Sequence, residues 1–291
     1  MDALNRRIAA LASDRASGAS EILDEVVAIL HEALRSGVPL APVARALCRA
    51  QPAMAPVWNA ALEALAPDGD GRARLDRFAQ RVARASTAVV RVGATFLLDE
   101  DDGPLRVVTV SFSRSVALLL EAVAARREVQ VFCGEGRPAL EGRRLASRLA
   151  AAGLAVTAYT DAAIGHALAS ADAVLVGADA VAPDWFLNKS GTRMLAAAAA
   201  QQGVPVYVVA TREKFVGHDV ARRLVVREGA PTEVWEAAPS EVTVRNPYFE
   251  RTPLELVASL ITDMGVIGAA SAVEVCESTN VSYKHSIELL D

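Results

Sequence analysis

Cysteine is scarce in this chain: three residues in 291, at positions 48, 133 and 276. The number is odd, the spacing is wide, and no CxxC pair or Cys/His cluster has metal-ligand spacing. This excludes a disulfide scaffold and a zinc finger as the organising feature, and no metal and no cofactor are expected. Aromatics make up only 5%, and the tryptophans at 58, 185 and 235 form no stacking ladder. Positive charge is not in excess, because 30 Lys and Arg face 35 Asp and Glu for a net charge of -5. A protein that coats nucleic acid needs a basic face, so direct nucleic-acid binding is not expected. No run approaches the roughly 18 uninterrupted apolar residues of a membrane span. The first twenty residues lack a signal peptide's apolar segment, so no membrane contact and a cytoplasmic home are expected. Three phosphate or nucleophile motifs are missing as well. No G-x-G-x-x-G follows the first strand, and neither a Walker A loop nor a G-x-S-x-G elbow occurs.

What is present is a large potential core, with 52% hydrophobic and 22% charged residues over a length suited to two domains. The first hundred residues read as helices. Ile22, Val26, Ile29, Leu30 and Leu34 recur at helical spacing, with Ser20 as the expected N-cap. A second long amphipathic stretch covers 72–98, and Pro52 and Pro56 break the chain between them. The acidic turn 99–104 ends this region, giving an expected helical domain at 1–104 and a second domain at 105–291. There the pattern changes to short β-branched runs at 105–110, 129–132, 154–159, 173–178 and 204–210, each followed by a helical stretch. Nearly continuous apolar strands alternating with helices predict α/β architecture, a doubly wound, Rossmann-like parallel sheet covered on both faces.

Such sheets bind ligands beyond the carboxyl ends of their strands. Ser111 follows the first run. Cys133, Arg137, Pro138 and Glu141 follow the second, and Asp161 follows the third. Asp179 follows the fourth, with Asn188 and Lys189 shortly before a helix whose start at Gly191-Thr192 offers N–H groups to an anion. Lys214 follows the fifth. An Asp, an Asn and cations gathered at one sheet edge point to a small phosphorylated metabolite. Cys133 reads as a buried, inert thiol. Asp161 reads as a helix cap, and His166 is the nearest candidate base for Ser111. Asp179 has two readings, a catalytic acid or a carboxylate bonding the backbone of its turn.

The segments VSFSRSV, GRPALEG, VLVGADAV, NKSGT and TPLELVASLITDMGVI, in that order, resemble one superfamily. Its members are the alpha, beta and delta subunits of eukaryotic initiation factor 2B, ribose-1,5-bisphosphate isomerase and 5-methylthioribose-1-phosphate isomerase. The resemblance is clear over 105–270 and weaker in the helical half. It implies a helical domain ahead of a Rossmann-like domain, and a homodimer built through the latter. The apolar stretch 254–261 points the same way. The resemblance further implies that Asp179 is the general acid and that Asn188, Lys189, Lys214, Arg137 and Glu141 bind substrate. Glu141 stands where the thio-sugar enzyme has Gln.

Three positions depart from the isomerases. Ser111 stands where they carry the catalytic Cys. Ser17, Gly18 and Ala19 align with their Arg-Gly-Ala phosphate loop, without the Arg. Gln51 aligns with a second phosphate-binding Arg. A thiol ionises near pH 8.5 and can act as a base, which an unassisted hydroxyl cannot. Two lost guanidinium forks also remove bidentate phosphate recognition. Two readings follow. One is an aldose–ketose isomerase, an intramolecular oxidoreductase acting on a sugar phosphate with Ser in place of Cys. The other is a non-catalytic, regulatory-subunit-like protein that binds a sugar phosphate or nucleotide and controls an assembly.

Overall fold

The computed structural model describes residues 2–14, 18–67, 69–99 and 103–290. The helical half contains α1 (Asp2–Ser13), α2 (Ala19–Arg35), α3 (Leu40–Ala50), α4 (Ala55–Leu65) and α5 (Gly71–Leu98). The predicted apolar stripe of α2 is buried against Leu4 and Leu11 of α1, Leu47 of α3, and Leu75 and Phe78 of α5. Its cap is Gly18 rather than Ser20. The Glu21 carboxylate reaches back to accept the Gly18 N–H at 2.9 Å, so the helix begins one residue before the serine. Pro56 sits in the first turn of α4, where its missing N–H costs nothing. Residues 55–64 of α4 are buried on every face, which marks a helix enclosed on all sides. Trp58 and Leu62 of α4 pack with Ala180, Leu187 and Val216 of the second half and with Ile287 near the C-terminus. The long α5 serves both halves. Leu75 and Phe78 join the helical core, whereas Val89 and Leu97 join the core under the sheet.

The second half runs β1 (Leu105–Thr109), α6 (Arg114–Ala124), β2 (Val129–Gly134), α7 (Glu141–Ala151), β3 (Ala155–Tyr159), β4 (Ala173–Gly177), β5 (Ala180–Val181), β6 (Trp185–Lys189), α8 (Thr192–Gln201) and β7 (Val206–Val209). It ends with α9 (His218–Ala221), β8 (Phe249–Pro253), β9 (Ser259–Thr262), β10 (Gly265–Ile267), α10 (Ala269–Ser282) and α11 (Lys284–Glu288). Among the described residues the main sheet has the order β10-β9-β7-β4-β1-β2-β3. It is parallel except for β10, which turns back antiparallel onto β9. From β1 the chain moves outward to β2 and β3, then returns to place β4 on β1's other side. The strand order therefore reverses between β1 and β4, and a ligand crevice is expected at their carboxyl ends.

Past β4 the chain makes a short hairpin. Asp179 is followed by β5, and β6 returns antiparallel to it, pairing Ala180 with Leu187. The Asp179 N–H donates to the Leu187 carbonyl at 2.8 Å. The hairpin thus returns Asn188 and Lys189 to the level of Asp179, which explains their spacing in sequence. β8 completes this small sheet, with Asn188 opposite Glu250. The apolar stretch 254–261 is used within the protomer: Leu254 and Leu260 belong to one side of the core and Ile261 to the other. Its hydrophobicity therefore does not argue for a dimer. Among the described residues no helix is long and apolar enough to cross a membrane.

Candidate functional site

The switch-point crevice begins with Ser111. β1 and β4 pair as Val107–Ala173 and Val108–Val174, which sets Ser111 level with Gly177. Ser111 is half-buried and takes φ 65, a left-handed conformation that costs a side-chain-bearing residue energy and collects at functional sites. The backbone then turns into α6, capped by Ser113, whose hydroxyl accepts the Val116 N–H at 3.4 Å. Gly177 makes room for this turn, since a Cβ there would lie 2.6 Å from Ser113 Oγ.

Across the crevice stands Asp179. Burial raises its pKa above the usual carboxylate value, and the nearby Lys214 and Lys189 ammonium groups offset this only in part. Its backbone makes the turn's hydrogen bonds: the N–H goes to Leu187 and the carbonyl accepts from Ala55 at 3.1 Å. The carboxylate itself accepts none from a described residue, so it is not a turn cap. Lys189 is buried, and its Nζ meets Glu141 Oε1 at 2.7 Å and lies 4.4 Å from the centre of the Tyr248 ring. Asn188 is buried beside it and donates to Thr192 Oγ1 at 3.0 Å. Lys214 is half-buried at the end of a 3-10 turn, Arg212–Lys214, just beyond β7. Two carboxyl groups, Asp179 and Glu141, and two ammonium groups therefore meet at the switch point. Among the described residues no three His, Cys, Asp or Glu side chains are grouped to hold a metal ion.

The other expected site residues sit differently. The exposed Arg137 guanidinium donates to the Glu233 and Val234 carbonyls at 3.2 Å, tying down the segment over the crevice. Asp161 does not cap the helix after it. Its two oxygens accept the Gly136 and Arg137 N–H groups at 2.8 and 2.7 Å, because the loop after β2 leaves those donors unpaired. Gln51 donates to the Leu11 carbonyl at 2.6 Å, an interhelical tie. Gly18 and Ala19 start α2, next to a small cleft lined by Arg7, Asp14, Glu21 and Glu25. Ser17 lies outside the described residues. His166 is exposed, and no hydrogen bond joins it to Ser111. Cys133 is fully buried, its thiol pushed up to about 12 by burial and then by the Asp161 charge, which suits an inert thiol.

The N-terminus of α8 is not open to a ligand's anion. Glu250 of β8 already occupies it, its Oε1 accepting from the Gly191 N–H at 2.7 Å and from Arg193 at 2.9 Å. This carboxylate at a helix start performs the task of a cap from 59 residues away. Glu250→Ala is expected to destabilise the protein by about 1 kcal/mol. Urea unfolding measures this, and a midpoint matching that of the unaltered protein would contradict the assignment.

The helical half contributes more than the sequence suggests. Asn59 of α4 donates to the Glu213 and Phe215 carbonyls at 2.7 and 3.0 Å and holds the Lys214 turn in place. Glu63 on the same helix accepts from Arg81 and, at 2.9 Å, from Tyr283. Beyond this network a cavity of about 600 Å³ opens beside the Lys214 turn, lined in part by Arg81, Arg84, Arg212, Glu213 and Asp263. The available signal was α4 itself: APVWNAALEAL is apolar all round, the pattern of a helix between two layers.

The sequence model of the Initiation factor 2 subunit family matches residues 6–269. A putative translation initiation factor eIF-2B subunit 2-like protein of Pyrococcus abyssi is 31% identical over 254 residues, covering 85% of each chain. A methylthioribose-1-phosphate isomerase of Pelotomaculum thermopropionicum is 34% identical over 198 residues, covering 65% of this chain and 54% of its own. The chain spans 50–59% of the length of three such isomerases, one of them itself named putative. Among solved structures, the translation initiation factor eIF-2B of Pyrococcus horikoshii aligns with a TM-score of 0.78 at 23% identity, covering 92% of this chain and 97% of that one. The 5-methylthioribose 1-phosphate isomerase of Pyrococcus horikoshii aligns with a TM-score of 0.67 at 20% identity, covering 99% and 87%. At these identities the two structures establish a shared fold.

Proposed function

The chain belongs to the Initiation factor 2 subunit family, and on that premise we propose that it binds a small sugar phosphate at the β1–β4 switch point and isomerises it from aldose to ketose. One observation carries this reading: Asp179 is a half-buried carboxyl, pushed toward its protonated form by desolvation, with the cations Lys189 and Lys214 beside it. A protonated carboxyl can give a proton to a sugar oxygen, and flanking ammonium groups suit a phosphate. Ser111, strained at the end of β1, orients a hydroxyl or a water. Asn188 is positioned to contact the sugar. The molecule works as a homodimer, as the family resemblance implies.

Two placements favour a second reading, a non-catalytic ligand sensor within an assembly. Gln51 and Arg137 each turn donors to backbone carbonyls of the protein itself, which draws both side chains away from a phosphate. The P. abyssi relative that matches this chain over 85% of both lengths bears an initiation-factor name. A phosphorus NMR time course separates the readings. The protein is mixed in turn with 5-methylthioribose 1-phosphate and ribose 1,5-bisphosphate. A product resonance growing with time is the expected result. Broadened signals without conversion would favour the sensor, and sharp, unchanged signals would overturn the phosphosugar site itself.

A further inference from the structure

The proposed isomerase lacks a base. Moving a carbonyl from C1 to C2 requires that a proton leave C2 and one arrive at C1. The Ser111 hydroxyl is too weak a base for this, and no hydrogen bond links it to His166. Burial holds Asp179 toward its protonated form. Among the crevice groups described above, one carboxylate is left. Glu141 opens α7, and its Oε1 pairs with Lys189 at 2.7 Å. Its other oxygen, Oε2, is shut off from solvent and has no hydrogen-bond partner among the described residues. Buried carboxylate oxygens are normally satisfied, and one without a partner calls for an explanation. The loop before it closes tightly on this residue: Gly136 has φ 76, and a Cβ there would lie 2.8 Å from the Gly142 nitrogen and 3.2 Å from both the nitrogen and Oε2 of Glu141.

Resting on the isomerase reading above, we infer that Glu141 is the catalytic base, taking the proton from C2 of the sugar and returning it to C1. Glu141 and Asp179 both feel Lys189, the first as its ion-pair partner and the second through its charge. The two carboxylates then divide the work. In an aldose 1-phosphate the C1–ring oxygen bond breaks as Asp179 protonates the ring oxygen. Glu141 takes the C2 proton, and the electrons of that bond form the C1–C2 double bond of an enol phosphate. Glu141 then returns the proton to C1, while the 2-hydroxyl gives its proton to Asp179 and becomes the ketone. Atoms and electrons balance with no outside oxidant. An incoming phosphate competes with Glu141 for Lys189, which frees Oε1 as substrate arrives.

The same phosphorus NMR assay on three variants tests this role. Glu141→Asp keeps a negative charge opposite Lys189 but withdraws it by one methylene. It is expected to keep KM within about threefold while kcat falls about 10²-fold. Glu141→Gln is expected to lose about 10³-fold in kcat. In Glu141→Ala, added formate is expected to restore turnover at least about tenfold, saturably, which a merely structural ion pair would not allow. Thermal melting of each variant checks its folding, and Glu141→Asp decides if the others melt early. Turnover of Glu141→Asp within about threefold of the unaltered protein would overturn the role while leaving the isomerase reading in place. An absence of conversion by the unaltered protein would overturn both.

Discussion

Asp179→Asn is expected to lower kcat by about 10²–10⁴-fold and, at neutral pH, to make the protein more stable. The two effects share one cause. The Asp179 carboxyl is partly withdrawn from water, and the attraction of Lys214 and Lys189 does not fully compensate, so its folded pKa lies above the ordinary 3.8. Where the folded pKa exceeds the unfolded one, the folded protein binds more protons in the window between them, and stability falls as pH rises through that window. The favourable contribution is complete below 3.8 and is lost once pH passes the raised folded value. Asparagine has nearly the same shape and carries no charge at any pH, so the variant escapes this loss. The difference in Tm between variant and unaltered protein should be small near about pH 4 and grow in the variant's favour toward about pH 8. Activity goes the other way, because an amide cannot give up the proton that the sugar oxygen needs. Melting curves across this range and a turnover assay check both halves. A variant that is less stable at every pH would mean that the carboxylate is held by attraction, and one with full turnover would place the acid elsewhere.

The strands β1, β2, β4 and β7 could be read because they are buried on both faces, which leaves a run of β-branched and apolar residues that no amphipathic helix shows. The runs at 105–110 and 173–178 end within one residue of β1 and β4. Ala180–Val181, by contrast, is a strand of two residues, too short for any alternation to register, and its partner β6 has the sequence pattern of an approach to a helix. Hence the sequence shows Asp179, Asn188 and Lys189 as neighbours along the chain but not the hairpin that makes them neighbours in space. Longer-range partners left no local trace. Glu250 fills the start of α8 and Tyr248 stacks on Lys189 only because β8 pairs with β6 across some sixty intervening residues. Gln51 has a tertiary partner that its neighbours in sequence do not reveal. Its place in the chain suits a phosphate contact, and in the fold its amide donates to the Leu11 carbonyl, a bond set by the packing of α1 against α3.

Gly142→Ala is expected to destabilise the protein by about 3 kcal/mol or more and to weaken sugar-phosphate binding in whatever fraction still folds. Gly142 is the second residue of α7 and lies against the end of β2. An added Cβ would sit 1.7 Å from the Gly134 carbonyl oxygen, 2.8 Å from its carbon and 2.9 Å from the Glu135 carbonyl carbon. All three are backbone atoms, so no rotamer change relieves the clash, and either α7 or the end of β2 must move. Both movements reach the site. The loop between them carries the Gly136 and Arg137 N–H groups held by Asp161, and the first residue of α7 is Glu141, the partner of Lys189. A displacement on the order of 1 Å at such a position can cost about 10²-fold in function. Gly165→Ala provides the comparison: nothing lies within 4 Å of a Cβ there and its φ is not positive, so it should be nearly neutral in urea unfolding. If both variants unfold at the same urea concentration, α7 is not seated on β2 as closely as these distances require. If Gly142→Ala alone is destabilised yet broadens the phosphorus signals of a sugar phosphate as the unaltered protein does, the loop bearing Arg137 and Glu141 is not part of the binding site.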